Sequence, residues 1–262
     1  MKTKHHKKGK HEKNHFRARK LGEVLKDWHH MHYELLSEAR EVILRGIWPP
    51  INAMDDSLQY LEECVVLSLS MNMIEKISHL WGLKNLKVLS LAQNNIKSLD
   101  GLEEVGSTLE VLIIARNFLK DTKGIEKLIK LKELDISYNY INQPIEFYRL
   151  ISCQELKSLA FKENPFAEKY PDNIWRQEAL KVLPNLETLD YIKVEDHERS
   201  EYLPMSEFFK LKGDMIIDSP KYMIYNDIFK EAMEKVLHAK DNKNDEEQFD
   251  SSNSLLSMQY II

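Results

Sequence analysis

The sequence predicts a solenoid of the α/β class, with a parallel β-sheet along its concave face and helical or irregular segments along its convex side. Two observations predict it. The phrase L-x-x-L-x-L-x-x-N occurs five times between Cys64 and Pro165. The asparagines of successive copies lie 22, 23, 22 and 25 residues apart, which is the spacing of stacked structural repeats. A sixth, truncated copy at 186–191 lacks the asparagine and is expected to close the stack.

The recurring phrase is that of leucine-rich repeats, and simple chemistry accounts for it. The L-x-L core of each copy forms a short strand with both apolar side chains on one face, so stacked strands share one continuous core. The asparagine can bond backbone groups of its own turn and the adjacent turn that would otherwise be buried unpaired. We predict a structural ladder of five asparagines: Asn72, Asn94, Asn117, Asn139 and Asn164. Cys64 occupies the first leucine position of the first copy, which indicates a small core residue.

Both ends of the stack need covers, because an open end would expose core to water. Residues 21–50 are predicted as an N-terminal helical cap, with one helix from about Leu21 to Arg45 that ends before the prolines at 49 and 50. Residues 51–194 are predicted as the repeat domain. Its C-terminal cap is expected to be a helix from Asn173 to Leu183, which Pro184 terminates.

Residues 1–20 are predicted as a basic, disordered leader, because they carry nine cationic side chains against Glu12 alone. Such a segment attracts polyanions, although a merely solvated end is an equally good interpretation. Its cations are Lys2, Lys4, Lys7, Lys8, Lys10, Lys13, Arg17, Arg19 and Lys20. His11, Glu12 and His15 form an H-E-x-x-H string, but no third ligand or cleft accompanies it, so we interpret it as a coincidence.

Residues 195–262 are predicted as a C-terminal extension of mixed character. Apolar side chains are dense from Tyr202 to Tyr225, which argues against simple disorder. An amphipathic helix is predicted at about 227–239, before an acidic, polar end. We expect this extension to dock, either onto the convex side of the solenoid or onto a partner.

Composition and motifs exclude several classes of protein. No apolar run approaches the ~20 residues of a membrane helix, and no hydrophobic signal segment begins the chain, so a cytoplasmic protein without a membrane partner is expected. Two cysteines are too few for a disulfide framework. The sequence shows no phosphate loop, dinucleotide fingerprint or nucleophile elbow, and His29, His30 and His32 are expected on a solvated helix side. We therefore predict a non-enzymatic protein without a metal, cofactor or small-molecule ligand.

The concave face is the predicted binding surface, because the residues that flank the core leucines project from it. In the first three copies they are small and mostly apolar, whereas a solvated sheet face would normally be charged. These side chains are Val66, Ser68, Ser70, Val88, Ser90, Ala92, Val111, Ile113 and Ala115. The fourth copy changes to Glu133, Asp135 and Ser137. A polar rim is expected at the strand ends, formed by Met71, Gln93, Arg116, Tyr138 and Glu163.

Residues beyond the leucines give a more specific resemblance, to the leucine-rich-repeat light chain family of outer-arm axonemal dynein. It covers about residues 21–192. The segments that carry it are 67–77, 82–87, 94–97, 101–103, 105–106, 108–110 and 117–118, with Trp28, Pro49-Pro50-Ile51, Met54-Asp55, Asn164-Pro165 and Trp175 outside the strands. The family is shorter at both ends, and it usually has Asp-Gly where this chain has Asp190-Tyr191.

The resemblance implies an adaptor in the axoneme of motile cilia or flagella, part of the cytoskeleton. Its implied partner is a dynein heavy chain, bound at the microtubule-binding domain on the tip of the coiled-coil stalk. The implied contact is the apolar sheet face at Val66, Val88, Val111 and Ile113, with Arg116 and Tyr138 beside it. The basic leader is a hypothetical contact to the acidic tails of tubulin.

Three alternatives compete with this interpretation. A phosphatase-regulatory subunit of the leucine-rich type has a similar period, normally with many more repeats. A leucine-rich scaffold of RNA splicing would agree with the basic leader, although we expect no nucleic-acid partner. A zinc peptidase is the enzymatic alternative, and metal analysis of the purified protein would decide it.

Overall fold

The computed structural model describes residues 17–200, and it is a parallel solenoid. The basic leader up to residue 16, the H-E-x-x-H string and residues 201–262 of the extension lie outside the described residues. The helices are α1 Leu21–His32, α2 Pro144–Tyr148, α3 Asp172–Val182 and α4 Asp196–Ser200. The strands are β1 Glu41–Ile43, β2 Val66–Ser68, β3 Val88–Ser90, β4 Val111–Ile113, β5 Glu133–Asp135, β6 Ser158–Ala160, β7 Thr188–Leu189 and β8 Ile192–Lys193.

The described strands form one sheet in chain order, from β1 to β8. Strands β1 to β7 pair in parallel, and β8 turns back to pair antiparallel with β7. The six copies of the phrase account for β2 to β7. The sheet is wider than those copies predict, because β1 comes from the N-terminal cap and β8 closes the other edge.

The core lies behind the sheet and repeats from copy to copy. The two apolar positions of each L-x-L strand face inward, so Leu89 and Leu91 of β3 and its following turn are 0% exposed. Turns of 3₁₀ helix or short helix cross the convex side at Leu102–Val105, Ile125–Lys127 and Arg149–Ser152. Burial of each such leucine stabilises the fold by about 1.5–3 kcal/mol before entropy is counted.

All five ladder asparagines occupy the same environment. Asn117 donates from Nδ2 to the carbonyls of Leu91 (2.9 Å) and Ile114 (3.1 Å), and its Oδ1 accepts from the backbone N–H of Ile96 (2.9 Å). Asn94 repeats this pattern one turn earlier, with Leu69, Leu91 and the N–H of Ile74. Each side chain therefore joins its own turn to the preceding one.

The N-terminal cap differs from its prediction, because its helix ends at His32 instead of near Arg45. Tyr33 adopts a left-handed conformation (φ 54°) and closes the helix through a bond from its N–H to the carbonyl of His29. Val42 and Leu44 then alternate inward as in a strand. The apolar residues of this segment fit both the three-residue spacing of a helix and the two-residue spacing of a strand. The segment forms a strand because it pairs with the open edge of β2.

Helix α3, near the C-terminal end of the stack, spans Asp172–Val182, where the sequence predicts a helix from Asn173 to Leu183. Helix α3 buries Trp175, Ala179 and Leu180, and the indole packs against Phe147 and Phe161 at centroid distances of 5.0 and 5.5 Å.

Asp190 fastens the last turn of the stack, where the sixth copy lacks an asparagine. Its carboxylate accepts from the N–H groups of Phe161 (2.7 Å) and Lys162 (2.8 Å) and from Nε1 of Trp175 (2.8 Å). The last turn is therefore fastened to the capping helix by one charged side chain.

Both cysteine thiols are expected to be inert in the folded protein. Burial raises the pKa of Cys64 and of Cys153 to about 12, so hardly any reactive thiolate forms at neutral pH. Titration with a thiol reagent at pH 8 should modify neither cysteine before unfolding and both in urea. Rapid modification of either one without denaturant would contradict a core position.

Helix α4 is held by an ion pair that should respond to acid. Hydrogen bonds from the Arg176 guanidinium lower the pKa of Glu198 to about 2. Because the folded pKa lies below the unfolded value, the pair stabilises the fold at neutral pH and is lost as the pH falls from about 4.5 towards 2.

Glu198→Gln is therefore expected to lower the urea midpoint at pH 7, and the difference from the parent should vanish near pH 2. A difference that stays constant from pH 7 to pH 2 would contradict the assignment.

Candidate protein-binding face

The structure gathers the nine predicted side chains into three adjacent rows, which we call the concave patch. It consists of Val66, Ser68, Ser70, Val88, Ser90, Ala92, Val111, Ile113 and Ala115. The register aligns Val66 with Val88 and Val88 with Val111, so three valines form a line across β2, β3 and β4. These valines are partly buried, and the other six side chains of the patch are buried.

The serines of the concave patch bond one another. The Oγ atoms of Ser70 and Ser90 lie 2.6 Å apart, and Ser68 donates to Ser70 at 3.3 Å. Because these hydroxyls find hydrogen-bond partners inside the patch, they do not oblige a bound molecule to supply polar groups. The patch therefore suits a largely apolar partner surface.

The second half of the face is acidic and hydrogen-bonded. Asp135 is 3% exposed and accepts from the N–H (3.0 Å) and Oγ (2.6 Å) of Ser137 and from the hydroxyl of Tyr191 (2.7 Å). Burial, together with the nearby charge of Asp135, raises the pKa of Tyr191. Tyr191 comes from the β7–β8 turn, and its place on this face was not predicted from the sequence. The sequence feature that could have indicated this role is the tyrosine at 191, where the family usually has glycine.

The predicted rim follows the C-terminal ends of the strands. Met71, Arg116 and Tyr138 share left-handed backbone conformations with φ between 54° and 58°. The Arg116 guanidinium lies 3.9 Å from the centre of the Tyr138 ring, a cation–π contact.

A second row of exposed side chains, not predicted from the sequence, lies two residues further along the chain than Arg116 and Tyr138 of the rim. Phe118 and Tyr140 stack there at 5.8 Å and are 42% and 51% exposed. Both directly follow a ladder asparagine, and that recurrence is the signal that would have found them.

The opposite edge of the face carries ion pairs. Glu110 binds Lys87 and Lys132, each at 2.9 Å, across the starts of β3, β4 and β5. The concave patch is thus bordered by charges where the strands begin and by an arginine and aromatic rings where they end. Such a border resembles the polar rim of a protein interface.

Two further groups were considered in the sequence: the basic leader, of which residues 17–20 are described, and the histidine cluster of α1. Arg19 forms an ion pair with Asp27 of α1, so this cation is already partnered. Nδ1 of His29 lies 2.6 Å from the carbonyl oxygen of Glu34. Among residues 17–200, no cluster of three or more His, Cys, Asp or Glu side chains could hold a metal ion. None of the helices among residues 17–200 could span a lipid bilayer.

A parallel solenoid with an asparagine ladder and capped ends defines a leucine-rich-repeat protein. Residues 63–104 match the family model for leucine-rich repeats in two copies. Among solved structures, the chain is similar to one in the Drosophila melanogaster SNF/U2A′ complex, with 22% identity, a TM-score of 0.47, and coverage of 59% of this chain and 87% of the other.

Curated relatives place the chain more narrowly. Dynein axonemal light chain 1 of Danio rerio is 46% identical over 189 residues, which cover 71% of this chain and 98% of the relative. The protein of the same name in Chlamydomonas reinhardtii is 40% identical over 169 residues, or 63% of this chain and 85% of the relative. The chain belongs to the family of dynein axonemal light chain 1.

Proposed function

We propose that this protein is a non-catalytic light chain of an axonemal dynein, located in the axoneme of a cilium or flagellum. It binds the heavy chain at the microtubule-binding domain of the stalk tip and thereby modulates motility. The observation that carries the proposal is the 46% identity to dynein axonemal light chain 1 over 98% of the length of that relative.

The concave patch is the proposed contact. Its valines are aligned across β2, β3 and β4, and its serines bond within the patch, so a helical partner could bury it without losing hydrogen bonds. Strands ~4.8 Å apart make the patch and its flanking strands ~20 Å wide, whereas a helix with side chains is ~10–12 Å across. One or two helices of the heavy chain therefore fit on it.

Calorimetric titration of the full chain with the recombinant stalk tip tests the proposal. We expect one stalk tip to bind per chain, with a negative heat-capacity change because apolar surface is buried. Equal affinity for the coiled coil of the stalk without its microtubule-binding domain would contradict the proposed position.

The basic leader is proposed to contact the acidic tails of tubulin. Neutral replacement of six of its seven lysines, Lys2, Lys4, Lys7, Lys8, Lys10 and Lys13, should weaken co-sedimentation with microtubules at low salt, and the difference should shrink at high salt. Equal co-sedimentation of both proteins at low salt would remove the leader from the interface.

A further inference from the structure

The centre of the concave patch is more deeply buried than the side chains of the neighbouring strands can account for. Ile113 is 0% exposed. Its partners on the adjacent strands are Ser90 and Asp135, and Ala92 and Ala115 pack beside it. Serine and alanine side chains are shorter than isoleucine, so neighbours within the sheet can enclose its base but not its tip. A layer above the sheet therefore encloses this tip. Tyr191, whose hydroxyl bonds to the neighbouring Asp135, reaches the same area.

We propose that the C-terminal extension supplies this layer, and that residues 202–239 dock on the concave patch of the same chain. The segment is rich in large apolar side chains, as the patch requires; they include Tyr202, Leu203, Phe208, Phe209, Ile216 and Ile217.

The path of the chain supports this occupant. Strand β8 pairs with the last parallel strand, and α4 follows it directly. Arg176 of α3 fixes α4 through a 3.0 Å bond from Nη2 to Oε2 of Glu198, so the extension begins beside the C-terminal edge of the sheet. From there β4 lies four strand spacings away, about 19 Å. About six extended residues span that distance.

Docking of the extension has a consequence for regulation, and this part rests on the proposed function. A heavy-chain segment that binds the concave patch must first displace the extension. If the covered state is favoured about tenfold, the apparent affinity for the stalk tip falls about tenfold. The extension would then act as a built-in competitor.

Site-specific photo-cross-linking in the full chain tests the docking directly. A benzoylphenylalanine at Val88 should cross-link to peptides of 202–239 within the monomer band, and the same group at Ile129 should not. Ile129 is 60% exposed and lies outside the sheet, which makes it a matched control. Absence of such cross-links from Val88, or equal yields from both positions, would overturn the proposal.

Substitutions within the extension separate this inference from the proposed function. Replacing Phe208, Phe209, Ile216 and Ile217 by serine should strengthen stalk-tip binding about tenfold. A control with serine at Glu207, Lys210, Lys212 and Asp214 should change it much less. Cross-links from Val88 without stalk-tip binding by any variant would refute the proposed function and leave the docking intact. Stalk-tip binding without those cross-links would refute the docking alone.

Discussion

Val88→Arg is expected to weaken binding of the dynein stalk tip at least ~30-fold while the protein stays folded. Val88 lies in the middle of the aligned valines, so an arginine there would place an unpaired charge in the centre of the contact, and an uncompensated buried charge costs about 3–5 kcal/mol. In the free protein Val88 is only partly buried, so an arginine can direct its charged end to water. Calorimetry and thermal unfolding measure the two quantities.

Ile129→Arg provides the matched control for this prediction. It introduces the same charge at a position that is 60% exposed and outside the sheet, so affinity and melting temperature should both remain near those of the parent. Ile113 is a poorer test position, because it is 0% exposed and an arginine there would disturb the fold itself. Unaltered affinity of Val88→Arg would remove the concave patch from the interface.

Asn117→Ala should destabilise the solenoid by about 2–3 kcal/mol. The N–H of Ile96 loses its acceptor, Oδ1 of Asn117, and an unsatisfied buried donor costs ~1–3 kcal/mol. The carbonyls of Leu91 and Ile114 each retain a hydrogen bond from a neighbouring ladder asparagine, so the free-energy cost at these two groups is smaller. For a protein of this size, such a loss lowers the melting temperature by roughly 4–12 °C.

The control for the ladder is Asn142→Ala, which removes the same amide from an exposed position. Surface substitutions of this kind change stability by about 0.5 kcal/mol or less. Equal melting temperatures of the Asn117 and Asn142 variants would show that the ladder contributes nothing to stability.

The repeats could be predicted because every copy uses the same residue types for the same physical purpose. Leu89 is buried and Asn94 bonds its turn in the manner expected from the phrase alone. The concave positions also follow from strand alternation, since Val88 must face away from Leu89. Periodicity therefore determines the sheet, its core and the composition of its open face.

The ends of the stack could not be predicted in the same way, because each occurs once. The spacing of Val42 and Leu44 fits a helix and a strand equally well. The segment is a strand because the edge of β2 is available for pairing, which the spacing does not reveal. Asp190 and Tyr191 have no counterpart in the other copies, so neither the fastening of Trp175 nor the contact with Asp135 is visible in the repeat pattern. The complete burial of Ile113 likewise depends on what covers the face.

The identity of the bound partner is the most direct test of the proposed role. The protein, carrying an affinity tag, should be isolated from ciliated cells under mild salt, and the largest chain that accompanies it in stoichiometric amount should be identified by mass spectrometry. We predict an axonemal dynein heavy chain, which Val88→Arg should fail to retain. Recovery of a phosphatase catalytic subunit instead of a dynein heavy chain would contradict the account. So would a heavy chain that the parent protein and the Val88→Arg variant retain equally.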